Sequence, residues 1–229
     1  MLALFPELTD VNGDAQNALV LARRALWAGG EATLERLHEG EEPVSTPLVV
    51  VLGSTTDPML PRLLAALRII ADDLEGWIED GVPVLAVGTG LEALSRGIRL
   101  PQGRLEGLGL VPAEAEPLPV RATGDLVVTA EEGVLVGYEN HARGLRLDGG
   151  TAGLGAVTRG VGDGAGVDGV RHGSIIGTRM HGPVLAKNPA LADALLSTAF
   201  GMPVVPTGAV ATQADAAAAR IRSALLASS

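Results

Sequence analysis

Val84-Leu85-Ala86-Val87 is an unbroken apolar run that stops at Gly88, and Thr89-Gly90-Leu91-Glu92-Ala93-Leu94 follows it at helical spacing. Apolar residues on both faces suit a strand inside a parallel sheet, while Leu91 and Leu94 open a helix, so Gly88 falls on the sharp turn between them. A strand feeding a helix in this way commits the chain to right-handed crossovers, and a doubly wound α/β sheet is the architecture that accepts such units. Tight strand-to-helix elbows strain their apex residue and, in enzymes, present a nucleophile there, with small residues two before and two after, as Ala86 and Gly90 are here. Glycine takes the strained conformation freely. It has no side-chain atom with which to attack.

The neighbouring segments continue the alternation. Asp14 to Ala28 reads as a helix with Leu19, Ala22 and Leu26 on one side and Gly29-Gly30 as its stop. Leu48 to Leu52 is a short apolar strand. Leu60, Leu63, Leu67, Ile70, Leu74 and Trp77 recur every three or four residues, so the spacing predicts one amphipathic helix over Met59 to Glu79 that packs on the sheet. Beyond Leu100 the pattern turns to short β-type runs, Asp125 to Thr129, Val134 to Tyr138, Gly155 to Thr158 and Ser174 to Gly177, expected as hairpins of an antiparallel extension. Gly149 to Gly173 is glycine-rich enough for a linker, yet Leu154, Val157, Val161, Val167 and Val170 favour turns between edge strands. Leu191 to Phe200 reads as a short helix and Ala209 to Ala227 as a terminal one with Val210, Ala214, Ala218, Ile221 and Leu225 facing inward. The expected fold is α/β, a doubly wound and mostly parallel sheet in one domain over 1–229. It divides into a parallel half to residue 100, a β-rich extension over 101–180 and C-terminal helices over 181–229.

Composition excludes several kinds of function. With 27 acidic against 17 basic residues and a net charge of −10, the surface repels phosphate backbones and anionic lipid, so no nucleic-acid partner is expected. No apolar run approaches the roughly 20 residues of a membrane span, and no basic, then apolar, leader opens the chain, so no membrane insertion and a cytoplasmic location are expected. The absence of cysteine removes disulfides and thiolate chemistry, and four scattered histidines make a zinc or iron site unexpected. Gly88-Thr89-Gly90 before a helix is a fragment of a phosphate cradle, which keeps a small-anion or nucleotide binder open. The dinucleotide fingerprint is incomplete, with Ala93 at its third position and no acidic residue closing a following strand, so no cofactor is expected.

Three further clusters set polar groups at element ends: Asn12-Gly13-Asp14-Ala15-Gln16-Asn17, Gly137-Tyr138-Glu139-Asn140-His141 and Gly177-Thr178-Arg179-Met180-His181-Gly182-Pro183. Taken with the elbow, their order resembles the class I glutamine amidotransferases of the cobyric acid synthase type, and among them the amidotransferase subunits of lipid II isoglutaminyl synthases. In those subunits a Tyr-Gly-Asp-x-Gly-Asn motif opens the chain, a Cys-Gly-Gly-Tyr-Gln elbow follows, then Gly-Phe-Glu-Asn-His, and finally Gly-Thr-Tyr-x-His-Gly-Pro. The resemblance implies a flavodoxin-like amidotransferase fold, His181 at the place of the catalytic histidine and Gly88 at that of the nucleophilic cysteine. It also places Gly53, Ser54, Thr55, Thr89, Glu92, Glu139, Asn140 and His141 around the substrate cleft, and it implies a Mur-ligase-like, ATP-using partner that receives ammonia for amidating the peptidoglycan stem peptide.

The departures extend past one atom. Thr89 stands for a glycine, Leu91 for the aromatic, Glu92 for the glutamine, and Gly53-Ser54-Thr55-Thr56-Asp57 for a Gly-Gly-Gly-Gln-Asp loop that in the family lies beside the oxyanion. Glutaminase chemistry is therefore expected to be lost. Acid–base work on an amide or amino acid by Glu92, His181 or Glu139 is the alternative. A hydroxyl of Thr89 or Ser54 with a histidine base is sound acyl-transfer chemistry, but capping is the default for Thr89 on the helix after the elbow and for Ser54 or Thr55 on the helix before Leu60. Asp14 and Asn17 read as helix-entry residues or, by the resemblance, as residues of the cleft or of the contact with the partner subunit. His141 belongs either to a functional cluster or to a network tying a strand end to a loop. His38 reads as a solvated residue and His172 as the start of a strand.

Overall fold

A computed structural model describes residues 1–227. The chain opens with β1 (Leu2–Leu4), α1 (Pro6–Thr9), a 3-10 turn at Asp14–Gln16 and α2 (Asn17–Trp27). There follow β2 (Glu35–Leu37), β3 (Val50–Leu52), α3 (Leu60–Ile69), α4 (Ala71–Glu79), β4 (Val84–Val87) and α5 (Thr89–Leu94). Strands β5 (Ser95–Leu100), β6 (Gly103–Glu106), β7 (Val111–Ala130), β8 (Gly133–Leu147), β9 (Gly155–Arg159), β10 (Val167–Asp168), β11 (Val170–His172) and β12 (Ile175–Thr178) come next. Three helices close the chain, α6 (Val184–Lys187), α7 (Pro189–Phe200) and α8 (Gly208–Ala227). No helix among the described residues is long and apolar enough to cross a membrane.

The main sheet runs β11-β12-β4-β3-β1-β2, parallel throughout except for the β11–β12 pair. Each parallel strand is apolar on both faces because both faces are covered. Leu2, Leu4, Val50, Leu52, Val84 and Ala86 pack with α3, α4 and α5, while Ala3, Val51, Leu85 and Val87 pack with α2, α6 and α7. The order reverses beside β1, where α2 covers one face and the α3–α4 connection the other. Such a switch point opens a crevice at the carboxyl ends of the strands.

The second sheet runs β10-β9-β7-β5-β6, with β8 paired to β7. Strand β5 follows α5 directly and pairs parallel with the start of β7, so the long β7–β8 hairpin is anchored beside the elbow. Its register slips between Pro117 and Ala122. The outer edge of β8 is closed by side chains and loops: the buried Asn188 accepts the Val136 N–H at 2.9 Å and donates to the Val136 carbonyl at 2.8 Å, and the His181 N–H donates to the Tyr138 carbonyl at 2.7 Å.

Several expectations need correction. The helix over Met59 to Glu79 is broken at Ile70 (φ −107°, ψ 20°), although Leu60, Leu63, Leu67, Ile70, Leu74 and Trp77 are all buried. Ser174 to Gly177 is no part of the extension, since β12 is a parallel strand of the main sheet against β4. In α2 the buried apolar positions are Ala18, Leu21, Ala22 and Ala25, and Leu19 and Leu26 are exposed. In α8 only Ala211 and Ala218 are buried, and Val210 and Ile221 face outward. That helix is held by ionic and polar ties instead: the buried Arg24 pairs with Asp193 of α7 and Asp215 of α8, both at 2.6 Å, and Arg159 donates to the Leu225 carbonyl. His172 ends β11 rather than opening it and is exposed.

Candidate active site

Four connections leaving the carboxyl ends of β1, β3, β4 and β12 bring Asp14, Ser54, Gly88 and His181 together. The first two are drawn close by continued pairing, a parallel bridge between Asp10 and Ser54, and by Gly53, where any Cβ would overlap the Thr9 carbonyl oxygen. Gly88 sits at φ 56° and ψ −120°, a conformation that side chains resist. A Cβ built there would lie 2.6 Å from His181 Cε1 and 3.0 Å from Ser54 Cβ. The imidazole thus occupies space a side chain at the apex would need.

His181 is 3% exposed, with Nδ1 3.0 Å from Asp14 Oδ2. A carboxylate only accepts, so Nδ1 carries the proton in this bond. Nε2, on the elbow side, makes no hydrogen bond among the described residues. The fully buried Asp14 is a hub: Oδ2 also accepts the Ser54 hydroxyl, and Oδ1 accepts the Gly182 N–H at 2.9 Å. Ser54 Oγ lies 3.4 Å from His181 Nδ1 and accepts from Asn12 Nδ2 at 3.3 Å. Its proton is given to Asp14, away from the open Nε2. Asn17, buried behind the hub, accepts the Leu185 N–H at 2.9 Å and donates to the Asp14 carbonyl at 2.8 Å.

A cavity of about 260 Å³ opens over these groups, walled by Asn12, Thr55, Thr89, Asn140, His141 and His181 among others. Thr89 does not cap α5, and neither Ser54 nor Thr55 caps the turn before α3. Instead the Thr55 N–H donates to Thr89 Oγ1 at 2.6 Å, and that hydroxyl donates to the Thr55 carbonyl at 3.0 Å. Arg121 donates to Asn140 Oδ1 at 2.9 Å near the mouth.

The remaining wall is ionic. Glu92, 1% exposed, accepts from Arg143 Nε on one oxygen and from Arg179 Nη1 on the other, both at 2.8 Å. Arg143 reaches on to Asp57 with both terminal nitrogens, at 3.0 and 2.6 Å, and the fully buried Arg179 donates from Nε to Asp163 at 2.7 Å. Burial opposes the charge of Arg143 and of Arg179, but their carboxylate partners outweigh it and hold both pKa values above the usual arginine value. The Arg143 bond holds the Asp57 carboxyl below its ordinary range. Glu139 does not line the cavity. It accepts the N–H groups of Val161 (2.7 Å) and Gly162 (2.9 Å) and approaches His141 Nε2 at 3.2 Å, while His141 Nδ1 is bonded to the Arg143 carbonyl at 2.7 Å. Burial raises the Glu139 carboxyl, and the His141 and backbone bonds bring it net below its ordinary range. His38 is exposed and pairs with Glu7 at 2.9 Å, far in sequence and role from this site.

Of the residues expected around the cleft, Ser54, Thr55, Gly88, Thr89, Glu92, Asn140, His141 and His181 line it, whereas Gly53 and Glu139 support it from behind. Sequence reasoning passed over Arg143, Arg179, Asp57 and Asp163. The first had a readable signal, because Glu139, His141 and Arg143 alternate along β8 and so share a face.

A doubly wound sheet whose switch-point crevice holds an acid-anchored histidine against a strand-to-helix elbow defines an amidotransferase-type α/β domain. The chain belongs to the CobB/CobQ-like glutamine amidotransferase family, whose profile matches residues 24–189. It is 32% identical over 201 residues to the GatD subunit of the glutamine-hydrolysing lipid II isoglutaminyl synthase of Staphylococcus aureus (strain N315), covering 84% of this chain and 82% of that one. To the corresponding subunit of Streptococcus pneumoniae (strain ATCC BAA-255 / R6) it is 31% identical over 212 residues, covering 86% and 78%. PurLQS from Thermotoga maritima superposes with a TM-score of 0.58 at 16% identity, over 87% of this chain and 94% of that one. A glutamine amidotransferase from the same organism gives 0.53 at 15%, over 86% and 88%. These two likenesses concern the fold.

Proposed function

We propose that this chain is the amidotransferase-like subunit of an isoglutaminyl synthase-type complex, with the fold kept and ammonia production lost. The observation that carries this is the elbow apex: the chain has no cysteine, and the His181 ring fills the space above Gly88. In a thiol amidotransferase the thiolate attacks the side-chain amide carbon of glutamine, the histidine passes the proton to the departing ammonia, and water later opens the thioester. Here the proton carrier is oriented but no atom can form the covalent bond. Loss of the nucleophile from such a unit costs on the order of 10⁶ in rate, because its members act together.

The subunit would work in the cytoplasm beside a Mur-ligase-like partner that uses ATP, and amidation of the stem peptide would draw on free ammonia. Both relatives named above are subunits, which supports a role within a complex. The test is reconstitution with the Mur-ligase-like protein of the same organism. A stable complex that amidates lipid II with ammonium salts and not with glutamine is expected. Failure to co-purify at native levels, or amidation driven by glutamine, would overturn the proposal.

The unpartnered Nε2 of His181 favours one second reading, general acid–base chemistry on an amide or amino acid in the same cleft. Glu92 and Glu139 are committed to buried partners and are poor candidates beside it. Amide turnover abolished in His181→Ala would promote this reading over the first.

A further inference from the structure

Thr55 presents its peptide N–H to the cavity wall beside the elbow, and the acceptor it finds is the hydroxyl of Thr89, 2.6 Å away. The same hydroxyl returns a bond to the Thr55 carbonyl at 3.0 Å, so one side chain satisfies both halves of one peptide residue across the gap between the β3 loop and α5. A threonine in the first turn of a helix ordinarily bonds its own helix, which this one does not. Thr55 itself is 6% exposed, and its own Oγ1 has no hydrogen-bond partner among the described residues, a costly state for a buried hydroxyl.

By the resemblance the Thr55 N–H belongs to the loop that lies beside the oxyanion; we infer that in this chain the Thr89 hydroxyl is a built-in plug that occupies the place of such a carbonyl or carboxylate oxygen. The position of Thr89 Oγ1 marks where such an oxygen would sit, in the cavity shared with the open Nε2 of His181. A neutral backbone N–H donates to either kind of oxygen. A bare Nε2 nearby would favour the N–H₂ end of a carboxamide, whereas a protonated one would favour a carboxylate. The inference rests on the cleft being a relic amide-handling site, as proposed above.

Truncation of the Thr89 side chain to alanine should unplug the subsite. Calorimetric titration with L-glutamine and, separately, L-glutamate is expected to show binding about tenfold tighter for Thr89→Ala than for the parent, the weight of one freed hydrogen bond. Thr89→Ser, which keeps the hydroxyl, should match the parent. Preference for L-glutamine over L-glutamate would identify the carboxamide as the occupant, and the reverse the carboxylate. Thr89→Val keeps the volume and loses only the hydroxyl, so it protects the test against a folding failure of the alanine variant. In it the Thr55 amide proton should exchange at least tenfold faster, with no gain in ligand affinity because a methyl group fills the site.

Equal affinity of Thr89→Ala and parent for both amino acids, including no binding by either, would overturn the plug. So would unchanged exchange of the Thr55 amide in Thr89→Val. Glutamine turnover by the parent would instead sink the relic-site proposal, so the two failures are distinguishable.

Discussion

The two sides of the cleft have fared differently. On one side Asp14, His181 and Ser54 form a compact hydrogen-bonded hub that leaves His181 Nε2 without a hydrogen bond among the described residues. On the other, Gly88, Thr89 and Glu92 lack a side chain or are engaged internally, by the Thr55 peptide and by Arg143 and Arg179. The groups that orient the imidazole are hydrogen-bonded to one another, and Thr89 and Glu92 on the facing wall are bonded within the chain. Orientation residues also hold connections together, here the β1, β3 and β12 loops, so the hub has a structural role beside any chemical one. A nucleophile holds nothing and can be lost without unfolding the protein.

Breaking the ionic side should give the largest effect. Arg179→Met leaves the buried Asp163 without its cation and Glu92 with Arg143 alone, and is expected to cost ~3–5 kcal/mol, measured by urea unfolding. Next comes Asp168, which accepts the Thr178 hydroxyl at 2.6 Å and the Arg179 N–H at 3.1 Å and so holds the turn that carries both Arg179 and His181. Burial first, and then the charge of Asp163, push its carboxyl from 3.8 up to about 7. The folded state therefore binds more protons than the unfolded one between these values. The contribution of Asp168 is fully present below about pH 4 and is lost as pH rises through 7. Urea unfolding at stepped pH should show the parent falling relative to Asp168→Asn over that window by a few kcal/mol, and parallel profiles would refute the assignment.

How much of this could be read from the chain bears on the same contrast. The elbow, strands β3 and β4 and the buried stripe from Leu60 to Trp77 were legible because each depends on local apolar spacing, whereas the three-residue strands β1 and β2 were not read and β12 was assigned to the extension. The extent of β7 was not, since Pro117, Pro119 and Gly124 interrupt its alternation and its register slips there. The inward face of α8 was misread because alanine gives little contrast around a helix and Asp215, not an apolar stripe, docks it. His181 could be nominated from its flanking residues, but the Ser54–Asp14 bond and the Thr55–Thr89 bond join positions 40 and 34 residues apart and show only in three dimensions.

Two smaller effects sharpen the comparison. Asp14→Ala deprives three donors of their acceptor at once and should destabilise by about 2–3 kcal/mol on urea unfolding, more than any single substitution at Thr89. Gly88→Cys places a side chain at φ 56° against the His181 ring and should cost about 1–2 kcal/mol. It should restore no glutaminase activity until the ring is displaced. Ready activity in that single variant would mean that the two sides of the cleft remain matched.

The most direct measurement is ammonia release from L-glutamine by the unmodified chain, alone and in complex with its partner, against His181→Ala under the same conditions. With no attacking atom at the elbow, parent and variant should release ammonia at the same background rate. Release that depends on His181 would show that another nucleophile works in this cleft and would contradict the loss of glutaminase chemistry.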